Sequence, residues 1–175
     1  MKEKLKNIKM LILDVDGVMT DGRVIMDDSG REIKNFDVRD GHGIKLIQRY
    51  GIKVVLLTGR KSDVVLHRAR DLDIKEVHQK VFNKKEVLVK ILKKNKLAAA
   101  EAAFIGDDVI DIPVLKAVGF SAAVADALDV VKKSVDYITQ NKGGGGAVRE
   151  VCDMLLQAQG QWPQIAAKYE FTEYL

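Results

Sequence analysis

Carboxylates recur at short, separated intervals: Asp14 and Asp16 in Asp14-Val-Asp-Gly17, then Asp107, Asp108 and Asp111 in Gly106-Asp-Asp-Val-Ile-Asp111. Between them stand Thr58, in Leu57-Thr-Gly-Arg60, and Lys84. Carboxylates brought to one place repel unless a cation neutralises them, and hard oxygen ligands without a cysteine or histidine cluster suit Mg²⁺ better than zinc. In such a site Thr58 and Lys84 would hold the oxygens of a phosphate that bridges to the metal. His42, His67 and His78 lack metal-ligand spacing. Cys152 falls in an apolar helical pattern and reads as core. Gly143-Gly-Gly-Gly146 lacks the Lys-Ser/Thr ending of a phosphate-cradling loop and reads as a flexible turn near the site.

These residues work together only if the chain brings them to one edge, and the elements around them predict that it does. Short apolar runs alternate with helical spacing, the pattern of an α/β fold built on a mostly parallel sheet. Met10-Leu-Ile-Leu-Asp14 is nearly all apolar, as a strand covered on both faces must be, and Asp14 falls at its carboxyl end, where such sheets bind ligands. Lys53-Val-Val-Leu-Leu57 leads to Thr58 in the same way, and Ala102-Ala-Phe-Ile105 leads to Asp107. Further strands are expected near Val77, at Phe120–Val124 and at Tyr137–Ile138. Helices are expected from about Gly41 to Tyr50, from Ser62 as N-cap to about Leu72, from about Lys84 to Asn95, and from Ala147 to about Gln159. Arg23 to Phe36 reads as a β-hairpin around Asp-Asp-Ser-Gly, inserted after the first strand.

With 175 residues, 47% of them hydrophobic, the chain can bury one sizeable core and has little room for a second domain. We expect one domain over residues 1–160, a flap at about 23–36 and a loosely held tail over 161–175. A single cysteine cannot form an internal disulfide, which with the lack of a signal-like or membrane-length apolar segment predicts a cytoplasmic protein without membrane contact. The net charge of +4 suits anionic partners, but 6% aromatics and no stacking pattern beside the lysines argue against nucleic acid.

Asp14-Val-Asp-Gly-Val-Met-Thr20, Leu57-Thr-Gly-Arg60, Lys84 and Gly106-Asp-Asp-Val-Ile-Asp111 resemble the four ordered motifs of the haloacid dehalogenase superfamily of phosphatases. Asp37-Val-Arg-Asp-Gly41 and Gly144-Gly-Gly-Ala-Val-Arg-Glu150 are similar to the pattern of a small capless branch, the 3-deoxy-D-manno-octulosonate 8-phosphate phosphatases of lipopolysaccharide inner-core biosynthesis. The resemblance implies a Rossmann-like fold without a cap domain and a Mg²⁺-dependent phosphomonoesterase working through an aspartyl-phosphate on Asp14. It implies that Asp16 is the acid and base, that Thr58 and Lys84 complete the catalytic set, and that Asp14, the Asp16 main-chain carbonyl and Asp107 bind the metal. Asp108 and Asp111 are expected to orient Lys84 and the metal shell. The substrate, a sugar acid phosphate, would meet Asp16, Asp37, Val38, Arg39, Asp40, Gly41, Lys45, Gly59, Arg60, Arg68 and Lys84. The family's lysine opens the helix before the fourth-motif strand, which favours Lys84 over Lys85. A homotetramer, with hairpins packed together and neighbours completing each site, would stand in for a cap. The competing readings are a phosphatase of a nine-carbon sugar acid phosphate, a nucleic-acid 3′-phosphatase, and a non-catalytic interaction module. A receiver domain shares the acidic cluster, Thr and Lys, but takes its phosphate on a middle strand.

Overall fold

A computed structural model describes residues 1–174. Its centre is a six-stranded sheet made of β1 (Met10–Leu13), β4 (Lys53–Leu57), β5 (Glu76–His78), β6 (Ala102–Gly106), β7 (Phe120–Ala123) and β8 (Tyr137–Ile138). The order is β5-β4-β1-β6-β7-β8, and every pairing is parallel. β1 and β6 are buried along their whole length because helices cover the sheet, which is why both read as unbroken apolar runs. From β1 the chain builds outward through β4 to β5, then returns to the other side of β1 for β6. That reversal opens a crevice at the carboxyl ends of β1 and β6, the place where sheets of this kind bind ligands. Register sets Leu13 beside Ile105, so the loops beginning at Asp14 and Asp107 emerge side by side.

A separate two-stranded antiparallel hairpin, β2 (Ile25–Met26) and β3 (Glu32–Ile33), stands where the flap is expected. The main helices are α2 (Val38–Arg49), α3 (Asp63–Asp71), α4 (Lys84–Asn95) and α7 (Ala147–Ala158). α2 starts three residues before the predicted Gly41, because the Asp37 side chain accepts the Arg39 and Asp40 amides and begins the helix there. Gly41, one of its two glycines, makes room for a neighbour: a Cβ there would lie 2.4 Å from the Arg68 guanidinium. Three short helices escape the sequence pattern: α1 (Lys2–Lys6), α5 (Ile112–Leu115) and α6 (Asp129–Lys132). The tail is not loose, since α8 (Trp162–Lys168) buries Ile165 and Ala166 and Trp162 stacks edge-on with Phe171. Among the described residues no helix is long and apolar enough to cross a membrane.

Candidate active site

Asp14 follows β1 directly and is buried, while Lys84 opens α4 and reaches into the same crevice. The Lys84 Nζ lies 2.9 Å from Asp14 Oδ1 and 2.7 Å from Asp111 Oδ1. Lys85, one residue on, is exposed, so the geometry puts Lys84 and not its neighbour against the acids. Burial works against the Lys84 charge, but Asp14 and Asp111 outweigh it and hold the ammonium above the ordinary lysine range. The site thus contains a fixed cation that two carboxylates share.

Asp111 is fully buried and structurally committed at both oxygens. Oδ1 takes the Lys84 ammonium, and Oδ2 accepts the Asp107 amide at 3.1 Å and the Asp108 amide at 3.4 Å. Asp108 departs from expectation. It is exposed and accepts the Val109 amide at 2.6 Å, so it caps the turn, and of the two only Asp111 touches Lys84. Carboxylate oxygens of Asp14, Asp107 and Asp111 lie within 4.8 Å of one another. Asp107 Oδ1 is buried and has no hydrogen-bond partner among the described residues. Burial, together with the charges of Asp14 and Asp111, pushes the Asp107 carboxyl up to about 8, and burial first of all pushes Asp14 up to about 6. An unpartnered buried oxygen next to a second poorly neutralised carboxylate is the electrostatic demand that a divalent cation meets. The donors are all hard oxygens, so they fit Mg²⁺. Gly17 leaves room for this arrangement, because a Cβ there would sit 2.1 Å from Asp107 Oδ2 on a backbone with φ +90°.

Thr58 follows β4 directly, one strand over from Asp14; it is buried, and its Oγ1 accepts the Arg60 amide at 3.3 Å. Gly59 approaches the Val81 carbonyl and Ile110, which brings the second motif against the fourth. The glycine loop also joins the site, but tightly and not as a flexible turn: a Cβ on Gly143 would fall 1.8 Å from the Gly17 carbonyl oxygen, and the Gly143 amide donates to Asp126 at 3.0 Å.

Asp16 is held from the hairpin by Lys34, which with Glu32 the sequence reading passed over, and is approached by Arg60, expected there as a substrate residue. Lys34, from the end of the hairpin, donates directly to Asp16 Oδ1 and lies 3.2 Å from Glu32. Arg60 pairs with Glu32 at 2.8 Å and lies 4.0 Å from Asp16 Oδ2. The signal was present in Glu32-Ile-Lys34, two charged residues flanking an apolar one on a strand, a spacing that turns both charges to one face.

The remaining expected substrate residues have partners of their own within the chain. Asp37 caps α2 and pairs with Arg39 at 2.8 Å, and Arg39 also donates to the Gly145 carbonyl. Val38 is exposed. Asp40 accepts the Arg149 amide at 2.7 Å, linking α2 to the start of α7, and burial raises its carboxyl to about 6. Lys45 pairs with Asp73. Arg68 lies over the Phe36 ring and donates to the Asp37 carbonyl, with its buried Nε unpartnered.

A family model described as haloacid dehalogenase-like hydrolase matches residues 71–151. The chain is 47% identical over 158 residues to the 3-deoxy-D-manno-octulosonate 8-phosphate phosphatase KdsC of Escherichia coli (strain K12), which spans 90% of this chain and 84% of that protein. Among solved structures, it superimposes with a TM-score of 0.94 and 37% identity on the 3-deoxy-D-manno-octulosonate 8-phosphate phosphatase from Moraxella catarrhalis in complex with magnesium ion, phosphate ion and KDO molecule. That match covers 96% of this chain and 97% of the other. The cobalt-bound deoxy-D-mannose-octulosonate 8-phosphate phosphatase from Haemophilus influenzae matches with a TM-score of 0.90 and 44% identity, over 94% of this chain and 97% of that one.

Proposed function

The chain belongs to the 3-deoxy-D-manno-octulosonate 8-phosphate phosphatases of the haloacid dehalogenase-like hydrolases, and from that membership we propose that it hydrolyses this sugar acid phosphate to 3-deoxy-D-manno-octulosonate and phosphate. The observation that carries the reading is the Asp14–Lys84–Asp111 chain beside the unpartnered Asp107 oxygen, a site built to receive a cation and a phosphoryl group together. We further propose that it works in the cytoplasm, in the making of the lipopolysaccharide inner core. Its hydrolase domain is residues 1–160, and the later residues pack back onto it through α8.

Asp14, the Asp16 main-chain carbonyl and Asp107 would hold Mg²⁺, which supplies positive charge between two anions that otherwise repel. The Asp14 carboxylate attacks phosphorus, and the bond to the sugar oxygen breaks as Asp16 delivers a proton to that oxygen. Asp16, now a carboxylate, takes a proton from the water that attacks phosphorus in the aspartyl-phosphate, which frees phosphate and regenerates Asp14. The Thr58 hydroxyl and Gly59 amide donate to the phosphoryl oxygens, and Lys84 balances the charge that builds on them. Asp111 orients Lys84. Arg60 stands at the mouth beside Asp16 and serves the sugar's acidic end, while Asp37–Gly41, Lys45 and Arg68 take part through the assembled site.

Phosphate release from a panel of sugar acid phosphates tests this directly. Release should be fastest from the 8-phosphate of 3-deoxy-D-manno-octulosonate, stop in EDTA and return with Mg²⁺. A nine-carbon sugar acid phosphate hydrolysed faster would move the assignment to that substrate.

Assembly is the second part of the proposal. Val24, Ile25, Met26 and Ile33 are 42–58% exposed on a hairpin that has little else to cover them, and we assign them to a homotetramer in which hairpins pack on one another. Replacing Arg23–Phe36 by a short turn should give a smaller particle by light scattering, with poor activity. An intact protein that proved to be an active monomer would reject the tetramer.

A further inference from the structure

The hairpin has two chemically different faces. On β3 successive side chains point to opposite sides, so Ile33 faces away from Glu32 and Lys34. Ile33 is 55% exposed, whereas the side chains of Glu32 and Lys34 are 14% and 1% exposed. A lysine side chain this deeply buried just past a two-residue strand needs a reason, since burial of an ammonium is costly unless it is paired. Lys34 has two partners: the Asp16 Oδ1 and Glu32. Glu32 also takes Arg60 at 2.8 Å, so one carboxylate anchors both cations that flank Asp16. Burial tends to raise the Glu32 carboxyl, but the groups around it, Lys34 and Arg60 among them, outweigh it and keep it below the usual glutamate value. The result is a closed ring of Lys34, Asp16, Arg60 and Glu32 in which the Asp16 carboxylate is gripped from the hairpin side.

We propose that Lys34 is a positioning residue for the acid–base aspartate: the flap fixes the Asp16 carboxylate through Lys34, with Glu32 as the shared counter-ion that keeps Lys34 and Arg60 in place. The proposal rests on the reading of Asp16 as the group that protonates the leaving oxygen. It gives the hairpin a function besides assembly, because one strand joins the packing face to the proton-transfer group. An aspartate free to rotate still transfers protons, but spends less time aimed at the oxygen that needs one.

A proton donor matters most when the leaving group is a poor one. The test therefore uses aryl phosphates of graded leaving-group acidity, which carry no carboxylate of their own, with Asp16→Asn, Lys34→Met, Lys34→Arg and Glu32→Gln. Lys34→Met should lose roughly ten- to a hundredfold in kcat on phenyl phosphate and several-fold less on p-nitrophenyl phosphate, part of the ~10²–10⁴ that general acid–base catalysis supplies. Asp16→Asn should show the same leaving-group dependence in stronger form. Lys34→Arg should recover most of the loss, and Glu32→Gln should reproduce it in part, which serves if Lys34→Met does not fold. A loss for Lys34→Met that is equal across the aryl series, with Asp16→Asn still sensitive to the leaving group, would overturn the role of Lys34 while sparing that of Asp16. A loss confined to sugar acid phosphates would overturn it too, by making Lys34 a carboxylate-binding group. Asp16→Asn without any leaving-group dependence would remove the acid itself, and the positioning role with it.

Discussion

Asp14→Asn should fold as the unmodified protein does and release no phosphate above background, a loss of roughly 10⁴-fold or more. The amide fills almost the same volume at the end of β1, and Lys84 keeps its 2.7 Å contact to Asp111. Stability should not collapse. Burial already raises the Asp14 carboxyl to about 6, so at neutral pH the folded state bears a charge that is easier to carry unfolded, and a neutral amide relieves that cost. What the amide lacks is the nucleophile, since no other carboxylate in the crevice has both position and freedom to attack. Asp111 is bound at both oxygens, and Asp107 is the expected metal ligand. Acid quench of the native enzyme with labelled substrate should trap a phosphorylated protein that Asp14→Asn never shows, and turnover at the native rate in that variant would remove the covalent route. The Mg²⁺ requirement of the native enzyme should weaken as pH rises. Asp107 sits at about 8 without metal, so below that pH the ion must displace a proton to bind, and more Mg²⁺ is needed for half activity at pH 6 than at pH 8.

The sheet was legible because its strands are buried on both sides and so appear as short apolar runs. Lys53–Leu57 and Tyr137–Ile138 form strands over the predicted residues, and the β1 and β6 runs lead into the two acidic loops. Their adjacency was legible as well, since strand ends in such a sheet share one edge. The four-residue helices α5 and α6 were not, because a segment of about one turn shows no 3.6-residue period. α2 was read three residues short because the weight of Asp37 as a cap was missed. The choice between Lys84 and Lys85 depended on where a helix begins, the least certain part of any sequence reading. The structure favours Lys84, which is buried in the crevice, over Lys85, which is exposed. Lys34 was missed for a different reason: the hairpin was read through its turn and as a packing element, and the face turned toward Asp16 was not considered.

Lys84→Met should damage both stability and turnover, more severely than loss of any other cation in the site. The ammonium is fully enclosed between Asp14 and Asp111, with the Phe104 ring 5.9 Å away. Methionine matches the stem in length but leaves the two acids facing each other, with Asp107 within 4.8 Å. Breaking a buried pair by removing one partner costs about 3–5 kcal/mol, because the charge left behind has lost both water and counter-ion. The acids can escape only by taking up protons. Without Lys84 the Asp14 carboxyl must rise above its present value of about 6, so the folded variant binds more protons than the unfolded chain near neutrality. Its stability should therefore fall as pH rises, with a deficit against the native protein that is larger at pH 8 than at pH 6 in metal-free urea titrations. Turnover shows the opposite trend in cause: at low pH the nucleophile is protonated, and at high pH the phosphoryl charge has no ammonium beside it, so activity drops by about 10²–10³ even where the protein is folded. Arginine should not restore it, since a planar fork needs room that a site fitted to one ammonium lacks. Equal stability of Lys84→Met and the native protein at both pH values would show that the acids are neutralised by something other than Lys84.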